Sequence, residues 1–310
     1  MTAPPLVSIV LPTKNRLSTL PRSVASVCGQ CYRNWELIIV DDHSTDATQE
    51  WVSSLRDRRV RYLRLESSQG AAAARNFGVK QARGEWIAFQ DSDDEWVLDK
   101  LDKQLFVAQA GGFSWVGGSI VTWSDGGVVT ERWTAPQGYT EIRHDAVVRG
   151  AGLMTPSWLV RRNVLENLGG FDESLPCLED WELLFRLKSV YRMGVTRDIV
   201  LMRYGSSDSL FAELDKRVEG LQGVLLTHIR LLTEYPRWRV YWELELARLY
   251  GLQGQYKQAV HQALQLRGGG GEQWRSRVSL LWAALHRSRA RLHGVVLKPP
   301  IGRSSTLEVH

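Results

Sequence analysis

The feature that most limits how this chain can fold is a regular alternation of two kinds of segment in its first third. Short runs rich in β-branched and aromatic residues are separated by stretches whose apolar residues recur at helical spacing. The runs are Leu6–Pro12, Trp35–Asp42, Val60–Leu65 and Glu85–Asp91, and the stretches between them are Leu17–Cys28, Ala47–Leu55 and Ala71–Gln81. Strands and helices that alternate in this way predict right-handed βαβ units and a mostly parallel sheet flanked by helices.

The composition is that of a globular protein. Of 310 residues, 44% are hydrophobic and 24% are charged, which suits one large domain or one domain with a smaller appendage. No window of about 18 residues is continuously apolar, and the N-terminus has no basic segment followed by a long apolar run. We therefore expect a cytoplasmic protein that does not span a membrane.

Three cysteines, Cys28, Cys31 and Cys177, are too few for a disulfide framework. The motif CGQC at Cys28 and Cys31 is compatible with a redox pair or with half a zinc site, but no second pair at ligand spacing accompanies it. We expect these cysteines to be ordinary packing residues.

In parallel α/β sheets, ligands bind at the carboxyl ends of the strands, so the residues that follow each run are the first candidates for a binding site. Three of the four strand ends offer polar or acidic groups: Pro12, Thr13, Lys14 and Asn15 after the first, Asp41 and Asp42 after the second, and Asp91, Ser92, Asp93 and Asp94 after the fourth. The helix after the third strand opens with Gly70 and small alanines, which would let a ligand approach the backbone, and Arg75 follows one turn later.

Asp91, Asp93 and Asp94 are like charges that repel one another unless water, hydrogen-bond donors or a cation compensate them. Hard divalent cations commonly bridge carboxylates to phosphate oxygens. The cluster, together with Arg75, therefore suits a ligand that carries a diphosphate and a divalent metal. The alternative is that these acids cap the helix predicted to begin near Leu98.

Five motifs, in order, resemble those of the family 2 glycosyltransferases, which have the GT-A fold. They lie within residues 1–210 and read VSIVLPTKNR, WELIIVDDHSTDAT, GAAAARNFG, GEWIAFQDSDDEW and GGFDESLPCLEDWELLFRL. The fourth resembles the DxD segment of that family, and the fifth resembles its acceptor-side segment. The motifs GxxxxGK[ST] and GxGxxG are absent, which argues against P-loop and dinucleotide-binding domains.

The resemblance implies a nucleotide-sugar donor, a divalent metal (Mn²⁺ or Mg²⁺) and inversion at the anomeric carbon. Carried over by motif, Thr13 and Asp42 contact the nucleobase and Arg75 lies near the diphosphate. Asp91 and Asp93 form the metal-binding DxD pair, in which Asp93 is favoured for the metal and Asp91 for ribose or sugar hydroxyls. The full donor-binding set is Pro12, Thr13, Asn15, Asp41, Asp42, Arg75, Asp91 and Ser92. A UDP-sugar donor and a glycan or lipid-linked acceptor in surface polysaccharide assembly are expected from the family alone.

A sugar hydroxyl is a poor nucleophile at neutral pH, so the transfer needs a carboxylate that accepts its proton. The fifth motif assigns this role to Asp180, with Glu179 as its neighbour and Trp181 placed to stack against a sugar ring. Alternatively, Glu179 and Asp180 are first-turn acids that favour the dipole of the helix Trp181–Lys188. Arg203 lies in LMRYGSSDSL, which resembles the loop that closes over the donor, and is a candidate phosphate contact.

Two other functions stay open. A noncatalytic nucleotide-sugar-binding or scaffold protein would use its helical tail for interactions, although Asp91, Asp93 and Asp180 are all present. A sugar-1-phosphate nucleotidyltransferase shares the strand topology and the need for metal. That class usually has a glycine-rich basic loop after the first strand, where this chain has LPTKNRLST.

The C-terminal region is more basic than the rest of the chain and has helical rather than strand patterns. This change predicts a transferase domain over 1–210 and a helical region over 211–310. Residues 211–310 contain 15 Lys and Arg against 8 Asp and Glu, whereas residues 1–210 contain 24 against 26. Four helices are predicted, and Glu245–Leu266 resembles one tetratricopeptide repeat. The last, Trp274–Leu292, is basic and bears tryptophans, which suits either peripheral contact with the inner face of an anionic membrane or docking on the protein with its arginines in water. No nucleic-acid partner is expected.

Overall fold

The structure is a computed structural model that describes residues 3–124, 127–133, 138–142, 153–205, 214–234, 236–265 and 306–307. The predicted alternation of strands and helices is confirmed in the first third of the chain. Its elements are β1 (Val7–Thr13), α1 (Leu20–Cys28), β2 (Trp35–Asp41), α2 (Thr48–Ser54), β3 (Val60–Arg64), α3 (Ala71–Gln81) and β4 (Trp86–Phe89).

The middle of the chain adds further strands and helices to the same sheet. These are β5 (Glu95–Trp96), α4 (Lys100–Gly111), β6 (Trp115–Ser124), β7 (Gly127–Trp133), β8 (Tyr139–Ile142), β9 (Leu159–Arg161), α5 (Arg162–Leu168), α6 (Glu179–Val190) and β10 (Met193–Tyr204). Because β5 lies between the acidic residues and α4, and Asp99 occupies the N-cap position of that helix, Asp91–Asp94 do not cap it.

Helices dominate the rest of the described chain. They are α7 (Leu214–Thr227), α8 (Ile229–Glu234), α9 (Pro236–Leu252) and α10 (Tyr256–Gln265), and a two-residue strand β11 (Thr306–Leu307) pairs with β7. The helices α9 and α10 pack on each other, and Ala247 and Ala259 are fully buried. The predicted helix Trp274–Leu292, and the membrane contact expected of it, lie outside the described residues. No described helix is both long enough and apolar enough to cross a lipid bilayer.

The sheet is parallel where the βαβ pattern predicts it and mixed beyond that part. Strands β4, β1, β2 and β3 are neighbours in this order, and each pair is parallel. The other side of β4 pairs antiparallel with β9, which pairs antiparallel with β6, and the long strand β10 lies parallel to β6. The predicted α/β fold with a mostly parallel sheet flanked by helices is therefore confirmed.

Both faces of β1, β2 and β4 are buried, because helices cover each side. On one face, Val7, Ile9 and Leu11 of β1 pack with apolar residues of α1 and α4. On the other face α3 lies very close to the strands: a Cβ at Gly78 would lie 2.4 Å from Cγ1 of Val10. This close approach fixes the height of α3 over the sheet.

A buried carboxylate joins the strands at their amino ends. The Oε1 atom of Glu36 accepts hydrogen bonds from Ser8 Oγ (2.7 Å) and from the backbone N–H of Arg83 (2.8 Å), and Oε2 accepts one from Arg61 Nη1 (3.0 Å). The Ser8 hydroxyl in turn accepts the N–H of Gly84 at 2.8 Å. Glu36 thus ties β1, β2 and the turn before β4 together.

The chain divides into two compact units. One consists of Met1–Glu173, Glu182–Ser206 and Ser304–His310, and contains the sheet. The other consists of Ser174–Trp181 and Ser207–Arg303, and contains the helices α7–α10. We call them the sheet unit and the helical unit.

Glu36→Gln should destabilise the sheet unit in a pH-dependent way. Burial tends to raise the pKa of Glu36, but the hydrogen bonds from Ser8, Arg83 and Arg61 outweigh it, so its pKa lies below the ordinary value. A lowered folded pKa contributes stability that is full above the unfolded value of about 4.3 and is lost as the pH falls through the folded value. We expect a loss of about 1–3 kcal/mol at neutral pH.

The measurement is urea unfolding of wild type and variant at neutral pH and at a pH below the folded pKa of Glu36. The exposed Glu50 of α2 supplies a matched control, Glu50→Gln, which should change little. An equal difference between wild type and Glu36→Gln at both pH values would contradict this account of the carboxylate.

Candidate active site

The loops that follow β1 and β2 are tied to each other at the carboxyl ends of the strands. Asn15, with a left-handed φ of 51°, donates its N–H to Ser44 Oγ at 2.9 Å. Its side-chain Oδ1 accepts the N–H of Thr45 at 2.7 Å. Next to it, Thr13 is buried, and its hydroxyl has no hydrogen-bond partner among the described residues. Pro12 is half-buried. An unpaired hydroxyl at this point of a parallel sheet is an available contact for a ligand.

The two acids after β2 both organise loops. Asp41 is fully buried, where its carboxylate accepts the N–H of Ser44 (2.7 Å) and the hydroxyl of Tyr62. Burial, followed by this bond, raises the pKa of Tyr62 to about 12. Because no surface of Asp41 is exposed, any effect it has on a ligand is indirect.

Asp42 holds the loop before α3. Its carboxylate accepts hydrogen bonds from Ser68 Oγ (2.8 Å), Gln69 N (2.6 Å) and Gly70 N (3.1 Å). Lys14 reaches the same group through Ser68, to whose hydroxyl it donates at 2.7 Å. A carboxylate has about four lone-pair positions, so one remains for the nucleobase contact that the motif predicts.

Side chains of α1 hold the main chain of the acidic loop, Gln90–Asp94. Ser23 donates its hydroxyl to the carbonyl of Asp91 at 2.8 Å, and Arg22 donates Nη2 to the carbonyl of Asp93 at 2.6 Å. The guanidinium of Arg22 also lies 3.8 Å from the centre of the Tyr204 ring and is paired with Glu95 at 3.1 Å. The backbone that carries both DxD acids is therefore fixed from outside the loop.

A third bond comes from within the loop. Gln90, fully buried, donates Nε2 to the carbonyl of Asp94 at 2.7 Å. Asp94 is itself buried, and its Oδ1 accepts the N–H of Tyr204 at 3.2 Å. Burial, followed by the charges of Asp91 and Asp93, raises the pKa of Asp94 well above its usual range. Asp94 thus supports the loop and joins it to β10, and Ser92 beside it is buried too.

The carboxylates of Asp91 and Asp93 differ in their partners. Asp91 forms an ion pair with Arg75 Nη2 of α3 at 2.9 Å. In the part of the chain that the structure describes, Asp93 has no ion-pair partner; burial, followed by the charge of Asp91, raises its pKa. The positive charges of Arg16 and Arg203 act in the opposite direction on Asp93. Arg203, a predicted phosphate contact, lies between Met202, which pairs with Glu95, and Tyr204, whose N–H binds Asp94.

The sequence GGFDE, which opens the fifth motif, is bound to α3. Asn76 donates Nδ2 to the carbonyl of Phe171 (2.9 Å) and to Glu173 Oε1 (2.7 Å), and its Oδ1 accepts the N–H of Phe171 (2.8 Å). The Phe171 ring meets Phe89, the last residue of β4, edge to face at 5.3 Å. The start of the fifth motif therefore lies beside the strand that leads into the acidic loop.

The remaining predicted residues, Glu179, Asp180 and Trp181, belong to the helical unit. They form the first turn of α6, as the alternative interpretation of this motif also expects. Asp180 Oδ1 accepts the backbone N–H of Trp181 at 2.8 Å. The Trp181 ring packs against Trp242 with centroids 4.7 Å apart, so this side chain already has an aromatic partner.

Sequence reasoning did not identify Arg22, Ser23 or Asn76. A signal was present for Ser23, a polar residue within the buried stripe of α1 that contains Leu20, Val24 and Val27. A polar side chain at a buried helical position must find a partner, which points to a loop nearby. No comparable signal marks Arg22, whose partner is a main-chain carbonyl.

Comparison with known proteins agrees with this geometry. The profile of glycosyl transferase family 2 matches residues 8–169, which is just over half of the chain. This chain belongs to glycosyl transferase family 2. Membership favours the transferase over the nucleotidyltransferase alternative.

One curated relative is the UDP-Glc:alpha-D-GlcNAc-diphosphoundecaprenol beta-1,3-glucosyltransferase WfgD of Escherichia coli. It is 35% identical to this chain over 160 residues, which cover 52% of this chain and 62% of WfgD. The chain thus spans less than two thirds of the length of this relative.

Two solved structures have a similar fold. TarS residues 1–349 of S. aureus in complex with UDP-GlcNAc gives a TM-score of 0.59 at 20% identity, covering 92% of this chain and 87% of that chain. The mannosyltransferase PcManGT of Pyrobaculum calidifontis, in complex with GDP-Man and Mn²⁺, gives 0.60 at 16% identity, covering 96% and 85%. This likeness concerns the fold, and it confirms the predicted GT-A architecture.

Arg22→Met should loosen the acidic loop without unfolding the sheet unit. The variant keeps the length of the side chain but loses the donor that holds the carbonyl of Asp93. We expect amide exchange across residues 91–96 to accelerate by about tenfold, the equivalent of one lost hydrogen bond of about 1.4 kcal/mol. Hydrogen exchange read by mass spectrometry measures this, peptide by peptide.

Glu95→Gln is the matched control for this variant. It removes the partly exposed ion pair with Arg22 and leaves the bond to the Asp93 carbonyl, so exchange should stay close to that of the wild type. Equal acceleration in Glu95→Gln would mean that the ion pair, and not the carbonyl bond, orders the loop.

Proposed function

We propose that this chain is a metal-dependent, inverting glycosyltransferase. It transfers a sugar from a nucleotide-diphosphate-sugar donor, with UDP favoured, to a hydroxyl of a glycan or lipid-linked acceptor. One observation carries the proposal: α1 holds the acidic loop by its main-chain carbonyls, which leaves the Asp93 carboxylate without an ion-pair partner in the described structure. The loop lies at the carboxyl end of β4, where α/β sheets bind ligands.

The carboxylate oxygens of the acidic loop suit a hard divalent cation as ligand. Asp91 and Asp93 offer carboxylate oxygens, and the raised pKa of Asp93 reflects burial and a like charge that a cation would offset. No group of three or more His, Cys, Asp or Glu among the described residues could enclose a metal ion. A site with one or two carboxylates is typical of Mg²⁺ or Mn²⁺ that is completed by substrate phosphates. When bound, the metal supplies charge neutralisation at the leaving diphosphate.

The chain's own residues then have separate tasks. We assign the nucleoside contact to the unpaired Thr13 hydroxyl and the remaining lone pair of Asp42. Arg75, held by Asp91, and Arg203 place positive charge at the acidic loop, where the leaving diphosphate develops negative charge. Asp42 and Arg75 are already held by hydrogen bonds and an ion pair, so these two groups need little reorganisation when a ligand binds.

Asp180 is proposed as the general base. The acceptor hydroxyl attacks the anomeric carbon from the face opposite the diphosphate and forms the new C–O bond. The bond from the anomeric carbon to the phosphate oxygen breaks, and its electron pair leaves with the nucleoside diphosphate. The hydroxyl proton passes to the Asp180 carboxylate, a transfer that contributes about a hundredfold to ten-thousandfold.

The relatives support the class of donor and acceptor. WfgD is named for a UDP-glucose donor and a diphosphoundecaprenol-linked acceptor, and the TarS and PcManGT structures contain UDP-GlcNAc and GDP-Man. We infer from these names a nucleotide-sugar donor and a lipid-linked glycan acceptor for this chain, consistent with surface polysaccharide assembly.

Two substitutions should separate binding from chemistry. Asp93→Ala should weaken Mn²⁺-dependent binding of the nucleoside diphosphate by about tenfold or more, because it removes a metal ligand. Asp180→Asn should leave that binding within about twofold and lower the transfer rate by about a hundredfold or more, because it removes only the base. Calorimetric titration and a sugar-transfer assay measure the two effects.

A thermal-shift comparison tests the proposal first, with UDP, GDP, dTDP and CDP each added with and without Mn²⁺. Binding to the folded state raises the apparent Tm by mass action, so a rise with one base that depends on Mn²⁺ is the expected result. If Asp180→Asn bound the donor and transferred sugar at the wild-type rate, Asp180 would not be the general base. Binding without any transfer by the wild type would favour the noncatalytic scaffold.

A further inference from the structure

The segment Ser174–Trp181, which we call the base segment, groups with the helices that come later in the chain. It follows Glu173 of the sheet unit directly in sequence, yet its contacts place it in the helical unit. It contains Asp180, the proposed base. Its last three residues form the first turn of α6, whereas residues 174–178 belong to no helix or strand, so contacts with other elements must hold those five residues.

The backbone of the base segment lies against α7 at a glycine. A Cβ added to Gly220 would lie 2.6 Å from the carbonyl oxygen of Cys177 and 2.9 Å from its Sγ, distances that side chains do not adopt. One turn earlier on α7, the carbonyl of Lys216 accepts a hydrogen bond from the Cys177 thiol at 3.2 Å. Only glycine at position 220 allows this approach.

The residue after Cys177 has an unusual backbone. Leu178 has a φ of 65°, in the left-handed region, although it is not a glycine, and it is buried. Such a conformation costs about 1–3 kcal/mol and persists only where the surroundings impose it. The tight contact at Gly220 is next to it and supplies such a constraint.

A second anchor lies at the other end of the segment. Trp181 meets Trp242 of α9 edge to face, with centroids 4.7 Å apart, and Trp242 is buried. Because Trp181 follows Asp180 directly, and its N–H donates to the Asp180 carboxylate, this contact fixes the position of the base. In addition to α6, whose first turn contains Asp180, the helix α7 holds the base segment at Cys177 and α9 holds it at Trp181.

We propose that the helical unit is a positioning device for the general base, in which Gly220 and Trp242 are the positioning residues. The inference rests on the proposed role of Asp180 and gives the C-terminal helices a part in turnover, in place of an appendage used only for association. A misplacement of a reacting group by about 1 Å can cost a hundredfold in rate, so contacts remote from the substrate affect turnover in this way.

The test compares two alanine substitutions on the same helix. Gly220→Ala forces a Cβ against main-chain atoms of Cys177, whereas Gly223→Ala meets only Cδ2 of Leu175, at 2.6 Å, and that side chain can rotate away. Both variants gain similar helix propensity. We expect Gly220→Ala to lower kcat at saturating donor by about tenfold to a hundredfold, and Gly223→Ala to stay within about threefold.

Three further measurements are made on each full-length variant. Calorimetric binding of UDP with Mn²⁺ should be unchanged, because the donor residues belong to the sheet unit. Labelling of Cys177 by DTNB, followed by mass spectrometry with the exposed Cys31 as reference, should accelerate in Gly220→Ala. In the wild type it should be slow, since burial, followed by Glu179 and Asp180, raises the pKa of this thiol to about 12. Tm is recorded as the check on folding.

Two substitutions of Trp242 provide a second test if Gly220→Ala does not fold. Trp242→Ala should lower kcat with unchanged UDP and Mn²⁺ binding, and Trp242→Phe, which keeps an aromatic edge for Trp181, should restore most of it. Native kcat in Trp242→Ala, or faster labelling of Cys177 with native kcat in Gly220→Ala, overturns the inference. Failure of the proposed function looks different: the wild type then transfers no sugar although Cys177 is protected.

Discussion

The mutual repulsion of Asp91, Asp93 and Asp94 is the constraint around which this structure is organised. Three carboxylates within four residues would separate in an open loop. Here the surrounding donors bind the carbonyls of the loop and leave two of the carboxylates for other charges. Arg75 pairs with Asp91, and Asp93 has no ion-pair partner among the described residues. The acidic loop therefore keeps like charges close together in a fixed conformation, which is the kind of arrangement that the proposed electrostatic stabilisation of a transition state would use.

That arrangement depends on how closely the helices approach the sheet. Gly78 brings α3 against β1, and the small, buried residues Ala72–Ala74 keep its first turns close to the strand ends. As a consequence, Arg75 and Asn76, which are neighbours on α3, reach two different partners. One pairs with the acidic loop, and the other binds the chain at Phe171. A larger side chain at position 78 would lift both residues away from their partners.

Much of the sheet unit follows from the sequence. Hydrophobic periodicity predicted β1–β4 and α1–α3 with ends that differ by at most three residues, because burial on both faces leaves long apolar runs in parallel strands. The same reasoning placed Asp42, Asp91 and Asp93 at strand ends. It did not find the bonds from Ser23 to Asp91 or from Arg22 to Asp93, which join residues 68 and 71 positions apart. Such pairings depend on the packing of α1, which periodicity alone does not specify.

In the C-terminal helices, too, periodicity predicts the elements but not the contacts between them. Helical spacing predicted α9 and α10, yet nothing in the periodicity of α7 distinguishes Gly220 from the neighbouring Gly223. The difference exists only in three dimensions, where one glycine faces a backbone and the other a side chain. A segment as short as Ser174–Trp181 has no core of its own, so its strained Leu178 is stable only through contacts with other elements. With Asp180 as the proposed base, the contacts that hold the proposed donor residues lie within the sheet unit, and those that hold the base segment involve α6, α7 and α9. Under that proposal, substitutions on α7 and α9 would change the placement of the base without changing the residues proposed to bind the donor.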